Sequence, residues 1–418
     1  MSKVVVVGQG YVGLPVAVRA AEAGFSVIGF DISDEKVQRL AAGDSFIEDI
    51  SDDRLGGVLS TKTYRPSADP ADIEGFDIAV ISVPTPLSEG IPDLSYIESA
   101  AAALAPYVRA GCTVILESTT YPGSTEELVG PILEEASGLT AGVDFHLGYS
   151  PERIDPGNRE WTFERTPKVV SGVTPASLEA VQGFFDQLVD KTIAVSSPKE
   201  AELTKLIENT FRHVNVALVN ELAMFANDLG IDVWEAIEAA DTKPFGFMKF
   251  TPGPGVGGHC LPIDPSYLSW RVRRSLGHTF RFVELANDIN EHMPDYVVQR
   301  VVAALNRRSL AVRGQRILML GLSYKKNTGD AREAPSREIA KRLLALGADL
   351  RAVDPYVDPA QAPAGVELVD LSAEEIADAD LVLLVVDHDA FDRDLLGSSA
   401  VHVLDCRNVL AGPNVEVL

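Results

Sequence analysis

Up to residue 196, short apolar runs alternate with stretches of helical periodicity. The runs Val4–Val7, Ser26–Phe30, Ile78–Val83, Thr113–Glu117 and Phe145–Tyr149 have the length of buried strands, and alternation of this kind predicts a parallel sheet with crossover helices. At Ser197 the texture changes. Ser197 and Glu200 have the spacing of a capping box, Pro198 suits a first helical position, and neither glycine nor proline interrupts the chain from there to Gly230. One helix of about 30 residues and about 45 Å is predicted. Its apolar positions Leu203, Leu206, Ile207, Phe211, Val214, Ala217, Leu218, Leu222 and Phe225 follow the helical period, so that face is expected to be buried, in a connector between domains or a dimer seam.

A Gly/Pro-rich stretch from Thr251 to Pro265 and further helices follow, and near residue 311 the alternation resumes with Ile317–Leu320, Leu350–Val353, Leu381–Val386 and Val401–Leu404. This half loosely repeats the first, with Asp354 in the place of Asp31. Its first turn, Gly321-Leu322-Ser323-Tyr324-Lys325-Lys326, has different chemistry from the turn at residue 8 and is expected to bind something else.

Composition narrows the field. The 418 residues, 46% of them hydrophobic, are ample for more than one core. Sixty-one acidic against 36 basic residues give a formal charge of −25, which argues against a chain whose main task is neutralising nucleic-acid phosphates. No apolar run reaches the roughly 18 residues that span a bilayer, and the Val4–Val7 run enters a glycine turn too soon for a signal peptide. A cytoplasmic protein with no nucleic-acid or membrane partner is expected. The three cysteines, Cys112, Cys260 and Cys406, form no CxxC pair, so neither a disulfide framework nor a metal site is indicated.

The strongest local motif is Gly8-Gln9-Gly10-Tyr11-Val12-Gly13, directly after a strand and opening a helix. Gly8 permits the tight turn, Gly10 lets the backbone approach a pyrophosphate at the helix N-terminus, and Gly13 lets helix and strand pack closely. Asp31 ends the next strand, where a carboxylate accepts hydrogen bonds from a ribose and repels a 2′-phosphate, with no cationic partner evident. NAD is therefore expected over NADP; the bland alternative is a glycine turn without a ligand. The predicted fold class is α/β, with two Rossmann-like doubly wound domains over 1–196 and 311–418 joined by a helical core over 197–300 that carries one long helix.

Ser82-Val83-Pro84-Thr85-Pro86 and Ser118-Thr119-Thr120-Tyr121-Pro122-Gly123 stand at strand carboxyl ends, where such sheets bind ligands, although either suits an ordinary turn. Gly255-Val256-Gly257-Gly258-His259-Cys260-Leu261-Pro262-Ile263-Asp264 presents a thiol and a carboxylate four residues apart on a glycine-rich loop. A lone cysteine is more often an inert small hydrophobe. Beside a dinucleotide domain, a thiol can instead hold an aldehyde as a thiohemiacetal from which a second hydride leaves. His259 as its base is a further alternative. On the long helix Lys205, Asn209 and Arg212 or His213 share one face, either a solvated stripe or part of a site, and Pro151-Glu152-Arg153 follows a strand in the same way. Tyr324, Lys325, Lys326, Arg332, Arg337 and Arg407 place cations in loops of an acidic chain, as an anionic diphosphate ligand would require, or as scattered solvated charges.

These residues together resemble the UDP-glucose/GDP-mannose dehydrogenase family along nearly the full chain. The resemblance rests on Val7-Gly8-Gln9-Gly10-Tyr11-Val12-Gly13-Leu14-Pro15, Val83-Pro84-Thr85-Pro86, Glu202-Leu203-Thr204-Lys205-Leu206-Ile207-Glu208-Asn209, Gly257-Gly258-His259-Cys260 and Lys325-Lys326-Asn327-Thr328-Gly329-Asp330-Ala331-Arg332-Glu333. It implies an NAD-binding first domain, a helical dimerisation core, a UDP-sugar domain, and an active site between them. In the matching positions the nucleophile falls on Cys260, the catalytic lysine on Lys205, its partner asparagine on Asn209 and the following aspartate on Asp264. Thr119 matches a threonine associated with a catalytic water and Glu152 the general base of thioester hydrolysis.

The resemblance also implies cofactor contacts at Gly8, Gly10, Tyr11, Val12, Gly13 and Asp31, with Pro84, Thr85, Thr119 and Arg332. For the nucleotide sugar it implies Tyr324, Lys325 and Arg407, with Arg153, Arg212, His213, Phe250 and Gly257 beside Glu152, Lys205 and Asn209. A second acid found in the family shortly after the glutamate has no counterpart here, where Ile154-Asp155-Pro156 stands. Lys243-Pro244-Phe245-Gly246-Phe247-Met248 and His259 resemble the UDP-N-acetylglucosamine 6-dehydrogenases most, so that sugar is favoured over UDP-glucose and UDP-N-acetylmannosamine. Two other classes remain to be weighed. A sugar epimerase or dehydratase commonly uses Tyr-x-x-x-Lys, and none of the ten tyrosines has lysine four residues later; a non-catalytic NAD-binding protein would need neither Cys260 nor Lys205.

Overall fold

The computed structural model describes residues 1–47, 49–88, 91–155, 158, 160–258, 261, 263–398 and 401–418. The chain divides into two compact units, one of residues 1–208 with 266–277, the other of residues 209–265 with 278–418.

The first unit holds β1 (Lys3–Val7), α1 (Gly13–Glu22), β2 (Ser26–Phe30), α2 (Asp34–Ala41), α3 (Asp52–Ser60), β3 (Tyr64–Ser67), β4 (Ile78–Ile81), the short ribbon β5 (Leu87–Ser88) and β6 (Ile91–Pro92), α4 (Ser95–Leu104), β7 (Thr113–Leu116), α5 (Gly130–Ser137), β8 (His146–Tyr149), β9 (Lys168–Gly172), α6 (Pro175–Phe185) and β10 (Thr192–Ala194). Its main sheet has the order β10-β9-β8-β7-β4-β1-β2-β3. The pairs from β3 to β8 are parallel, and β9 turns antiparallel to β8. The strands read as continuous apolar runs because both faces are covered: Val4, Val6 and Ile115 face one core with Leu14, Ala17 and Phe184, while Val5, Val7 and Val114 face another with Ile97, Leu104 and Leu133. Helix starts follow their caps. Ser33, Ser51 and Thr174 each accept a bond from an amide in the first turn, the last followed by Pro175.

Helix α7 (Pro198–Leu229) runs for 32 residues, and α8 (Val233–Asp241), α9 (Asp264–Leu276) and α10 (Arg281–Arg307) follow. The face of α7 expected to be buried is only partly covered within one chain. Leu206 and Ala217 are buried, but Ile207, Phe211, Leu218, Leu222 and Phe225 of the expected face, and Leu229 beyond it, are between 45% and 72% exposed. The side covered within one chain carries polar groups among small and apolar ones: Lys205, Asn209, His213 and Asn220 are all at most 9% exposed, as are Ala201, Leu206, Ala217, Val219, Ala223 and Ala226. The inner polar groups find partners within the fold and so avoid the cost of burial, which leaves the apolar row free for a second surface.

The second unit contains β11 (Arg316–Leu320), α11 (Pro335–Leu346), β12 (Asp349–Val353), β13 (Glu367–Leu368), α12 (Ala373–Asp378), β14 (Leu381–Leu384), α13 (Arg393–Ser398), β15 (Val403–Asp405) and β16 (Val415–Val417). The strands form one parallel sheet in the order β13-β12-β11-β14-β15-β16. Both halves are thus Rossmann-like, as the two runs of strand alternation predict. Among the described residues no helix is long and apolar enough to cross a membrane.

Candidate functional site

In the first unit, β1 is followed by Gly8, whose φ of +93° is the left-handed region open to glycine. A Cβ on Gly13 would stand 1.9 Å from the Gly8 carbonyl oxygen, so the helix packs on the turn only because no side chain intervenes. A Cβ on Gly10, by contrast, meets nothing within 4 Å. That open approach, and an α1 whose Val12 N-cap offers its amides no side-chain oxygen, fit the diphosphate of a dinucleotide. Tyr11 is exposed beside it. Asp31 is anchored to the same turn, accepting from Gln9 N and Ser33 N at 2.9 Å each. The expectation that Asp31 lacks a cation is corrected: Lys36 Nζ lies 3.6 Å from its Oδ2. A partner that sequence reasoning missed is Gln9, buried with its amide donating to Val6 O and its oxygen accepting from Tyr64. A Cβ on Gly29 would lie 2.4 Å from Gln9 Oε1, so the bare glycine in β2 was the available signal.

The loops after β4 and β7 are tied together. Ser82 Oγ donates to Val7 O and Gly8 O, and Ser118 Oγ donates to Val83 O at 2.8 Å. Pro84 is exposed, Thr85 buried and Thr119 half-buried. From the first turns of α7, Glu202 accepts from Gly123 N, Thr125 N and Thr125 Oγ1. Burial pushes its carboxyl up to about 7 against those bonds.

After β8, Glu152 is held on all sides. Its Oε1 accepts from Arg153 N and Ile154 N at 2.6 Å each, its Oε2 from Lys168 Nζ at 2.8 Å, and its carbonyl from Lys205 Nζ at 2.6 Å. Lys168, the first residue of β9, also bonds Glu117. Burial would raise the Glu152 carboxyl, but the adjacent Lys168 ammonium holds it below the usual range, while burial pushes Glu117 up to about 7. Lys168 was absent from the sequence reading, and Glu117 entered it only as the end of an apolar run, one residue beyond β7. Arg153 turns to Glu208 at 2.6 Å and Pro167 O at 2.6 Å.

In the second unit, Asn209 Nδ2 donates to Asp264 Oδ2 at 2.5 Å. His213 Nε2 lies 2.7 Å from Asn287 Oδ1, and burial lowers its affinity for a second proton. Arg212 is exposed, and Phe250 packs edge-on against Phe211 with ring centres 5.8 Å apart. The glycine loop lies against the turn after β11: a Cβ on Gly257 would meet Glu333 O at 2.7 Å and Tyr324 Cβ at 2.8 Å, and one on Gly258 the Tyr324 ring at 2.7 Å. A Cβ on Gly253 would meet Arg407 Nη1 at 2.9 Å. Tyr324 thus lies against Gly257 and Gly258, and Arg407 against Gly253 four residues earlier in the same loop. His259 and Cys260 lie outside the described residues. The other two thiols, Cys112 and Cys406, are buried and pushed up by it, which removes them as nucleophiles.

The basic residues after β11 and β15 are not loose charges. Lys326 pairs with Asp389 at 2.6 Å, Arg332 with Asp330 in a two-pronged contact, and Arg407 Nε with Asp387 at 3.3 Å. Asp354, the counterpart of Asp31, accepts from Leu322 N, Ser323 N, Tyr356 N and Val357 N and from His388 Nε2. No lone pair is left for a ribose, which explains why the repeated topology need not bind a second dinucleotide.

A glycine turn open to a diphosphate and an acid anchored to that turn define a dinucleotide-binding domain, and a second Rossmann-like sheet whose own acid is consumed internally is built for a different ligand. The chain belongs to the UDP-glucose/GDP-mannose dehydrogenase family, whose NAD binding domain matches residues 2–189, central domain residues 199–292 and UDP binding domain residues 318–412. It is 35% identical to a UDP-N-acetyl-D-mannosamine dehydrogenase of Pyrococcus horikoshii over 99% of this chain and 97% of that one. It is 37% identical to a UDP-N-acetyl-D-glucosamine 6-dehydrogenase of Pseudomonas aeruginosa over 93% of this chain and 91% of that one. The solved UDP-D-ManNAc dehydrogenase of Pyrococcus horikoshii superposes with a TM-score of 0.91 at 33% identity, covering 99% of this chain and 98% of that one.

Proposed function

We propose that this dehydrogenase oxidises the C6 primary alcohol of a UDP-N-acetylhexosamine, with UDP-N-acetylglucosamine favoured, to the carboxylate through a thioester on Cys260. UDP-N-acetylmannosamine and UDP-glucose are the alternatives, and relatives named for UDP-N-acetylglucosamine and UDP-N-acetylmannosamine are nearly equally similar. The observation that carries the reading is the buried polar face of α7. Lys205 reaches the Glu152 carbonyl within the first unit, and Asn209, one turn on, holds Asp264 within the second.

NAD, when bound, supplies the hydride acceptor, and two equivalents are consumed per sugar. The rest falls to the chain. Lys205 and Asn209 stabilise the oxyanion that develops at C6, Asp264 fixes the Asn209 amide, and Cys260 adds to the aldehyde carbon as a thiolate. Thr119 positions and Glu152 deprotonates the water that releases the acid. Gly8, Gly10, Tyr11, Val12, Gly13, Asp31, Pro84, Thr85 and Arg332 serve the cofactor. Tyr324, Lys325, Arg407, Gly257 and Phe250 serve the UDP-sugar, with Arg153, Arg212 and His213 around it. The functional segments are 1–196, 197–300 and 311–418. The enzyme acts in the cytoplasm as at least a homodimer joined along the exposed apolar row of α7.

The test is NADH formation with a panel of UDP-sugars. UDP-N-acetylglucosamine should give two NADH per sugar and the highest kcat/KM. A higher kcat/KM for UDP-glucose would overturn the hexosamine assignment, and one for UDP-N-acetylmannosamine would reverse the order within it.

A further inference from the structure

Behind Glu152 the first unit buries more charge than a scaffold needs. Lys168 is 2% exposed and Glu117 1%, and the ammonium bonds both Glu117 and Glu152. The rings of Phe163 and Phe185 lie 5.3 and 5.2 Å from the same nitrogen and close it off from water. Two acids share one base, and Glu117 Oε2 is buried with no hydrogen-bond partner among the described residues. A cluster selected for stability alone would satisfy that oxygen or lack it, because an unpaired buried acceptor costs about 1–3 kcal/mol. The other charged groups facing Glu152 are accounted for. Lys205 bonds its carbonyl rather than its carboxylate, and Arg153 and Glu208 pair with each other.

We propose that Lys168 and Glu117 are positioning residues for Glu152: the ammonium fixes the carboxylate in place and keeps it ionised, and Glu117, bonded to the same ammonium, divides that cation so that Glu152 retains the basicity to take a proton from water. The inference rests on the reading of Glu152 as the base in thioester hydrolysis. The opposite displacements of the two acids, Glu152 held down and Glu117 pushed up to about 7, agree with it. Below neutral pH Glu117 carries a proton and Lys168 belongs to Glu152. Above it Glu117 ionises, competes for the ammonium and strengthens Glu152 as a base.

The full-length enzyme is tested in single turnovers with NAD in excess, quenched in acid at successive times, with the covalent adduct followed by intact mass across about pH 5 to 9, a range that brackets the Glu117 titration. Wild type should show a rise in the hydrolysis rate near neutral pH, and Glu117→Gln should lose that rise. Lys168→Met should shift the acidic limb upward by about one unit or more, and Lys168→Arg, which keeps the charge, should restore it. Glu152→Gln should stall hydrolysis at every pH. Wild-type hydrolysis in Glu152→Gln overturns the base reading itself. A stalled Glu152→Gln with superimposable wild-type and Glu117→Gln profiles overturns this inference alone. Should Lys168→Met fail to fold, Glu117→Gln still decides.

Discussion

Asn209 donates its side-chain amide to Asp264 Oδ2 at 2.5 Å, joining the buried face of α7 to the first residue of α9. The bond orients the amide, so Asn209→Ala should lower kcat by about 100-fold, the scale of losing one oxyanion donor, with KM for the UDP-sugar little changed. Asp264→Asn should fall in the same direction. Steady-state kinetics check both, and a kcat within about twofold of wild type in Asn209→Ala would remove the oxyanion role.

Much of this was legible beforehand for physical reasons. Strand runs are buried on both faces and so read as unbroken apolar segments, and the Gly8–Gly13 turn is marked by Gly8 and Gly13, where the backbone leaves no room for a side chain. The covered polar side of α7 was not legible. Its period is the same whichever side is covered, and only the tertiary partners of Lys205, Asn209, His213 and Asn220 reveal that the polar stripe is the inner one. Lys168 and Glu117 were hidden because their pairing spans 51 residues of chain.

The exposed row Ile207, Phe211, Leu218, Leu222, Phe225 and Leu229 is a large apolar surface for a monomer. Light scattering should give a dimer or larger assembly for the wild type, and the double change Leu222→Glu with Phe225→Glu should shift it to the monomer. A monomeric wild type at working concentration would exclude the seam.

Asp31 should make NAD the preferred cofactor by about 100-fold or more in kcat/KM, since like charges brought together cost several kcal/mol. Lys36, 3.6 Å from Asp31 Oδ2, already offsets part of that charge. Asp31→Asn should therefore narrow the preference, and equal kcat/KM for NAD and NADP in the wild type would dismiss Asp31 as the discriminator.

His388 accepts from Asn327 N through Nδ1, so Nε2 carries the proton given to Asp354. Burial would raise the Asp354 carboxyl, but His388 and the backbone amides hold it at about 2, against an ordinary 3.8. A depressed acid stabilises the fold above its unfolded value and loses that contribution as pH falls through the folded one, a difference of about 2 kcal/mol here. Asp354→Asn should lower Tm at about pH 7, and the gap should close between about pH 4 and about pH 2. A gap independent of pH would show that the charge is not what matters.

Cys260 carries the most diagnostic prediction, because in the proposed route only the second half of the reaction needs a covalent link to sulfur. Cys112 and Cys406 are buried with their thiols pushed up, so neither can substitute. Cys260→Ser should still bind NAD and the UDP-sugar but fail to complete turnover, since an alkoxide ester forms and hydrolyses far less readily than a thioester. Glu152→Gln should let the acyl-enzyme accumulate as a sugar-nucleotide adduct in intact-mass spectra, an adduct that Cys260→Ala cannot form. Two NADH per sugar at the wild-type rate from Cys260→Ala would exclude the thioester route, because no other thiol among the described residues is placed to carry it.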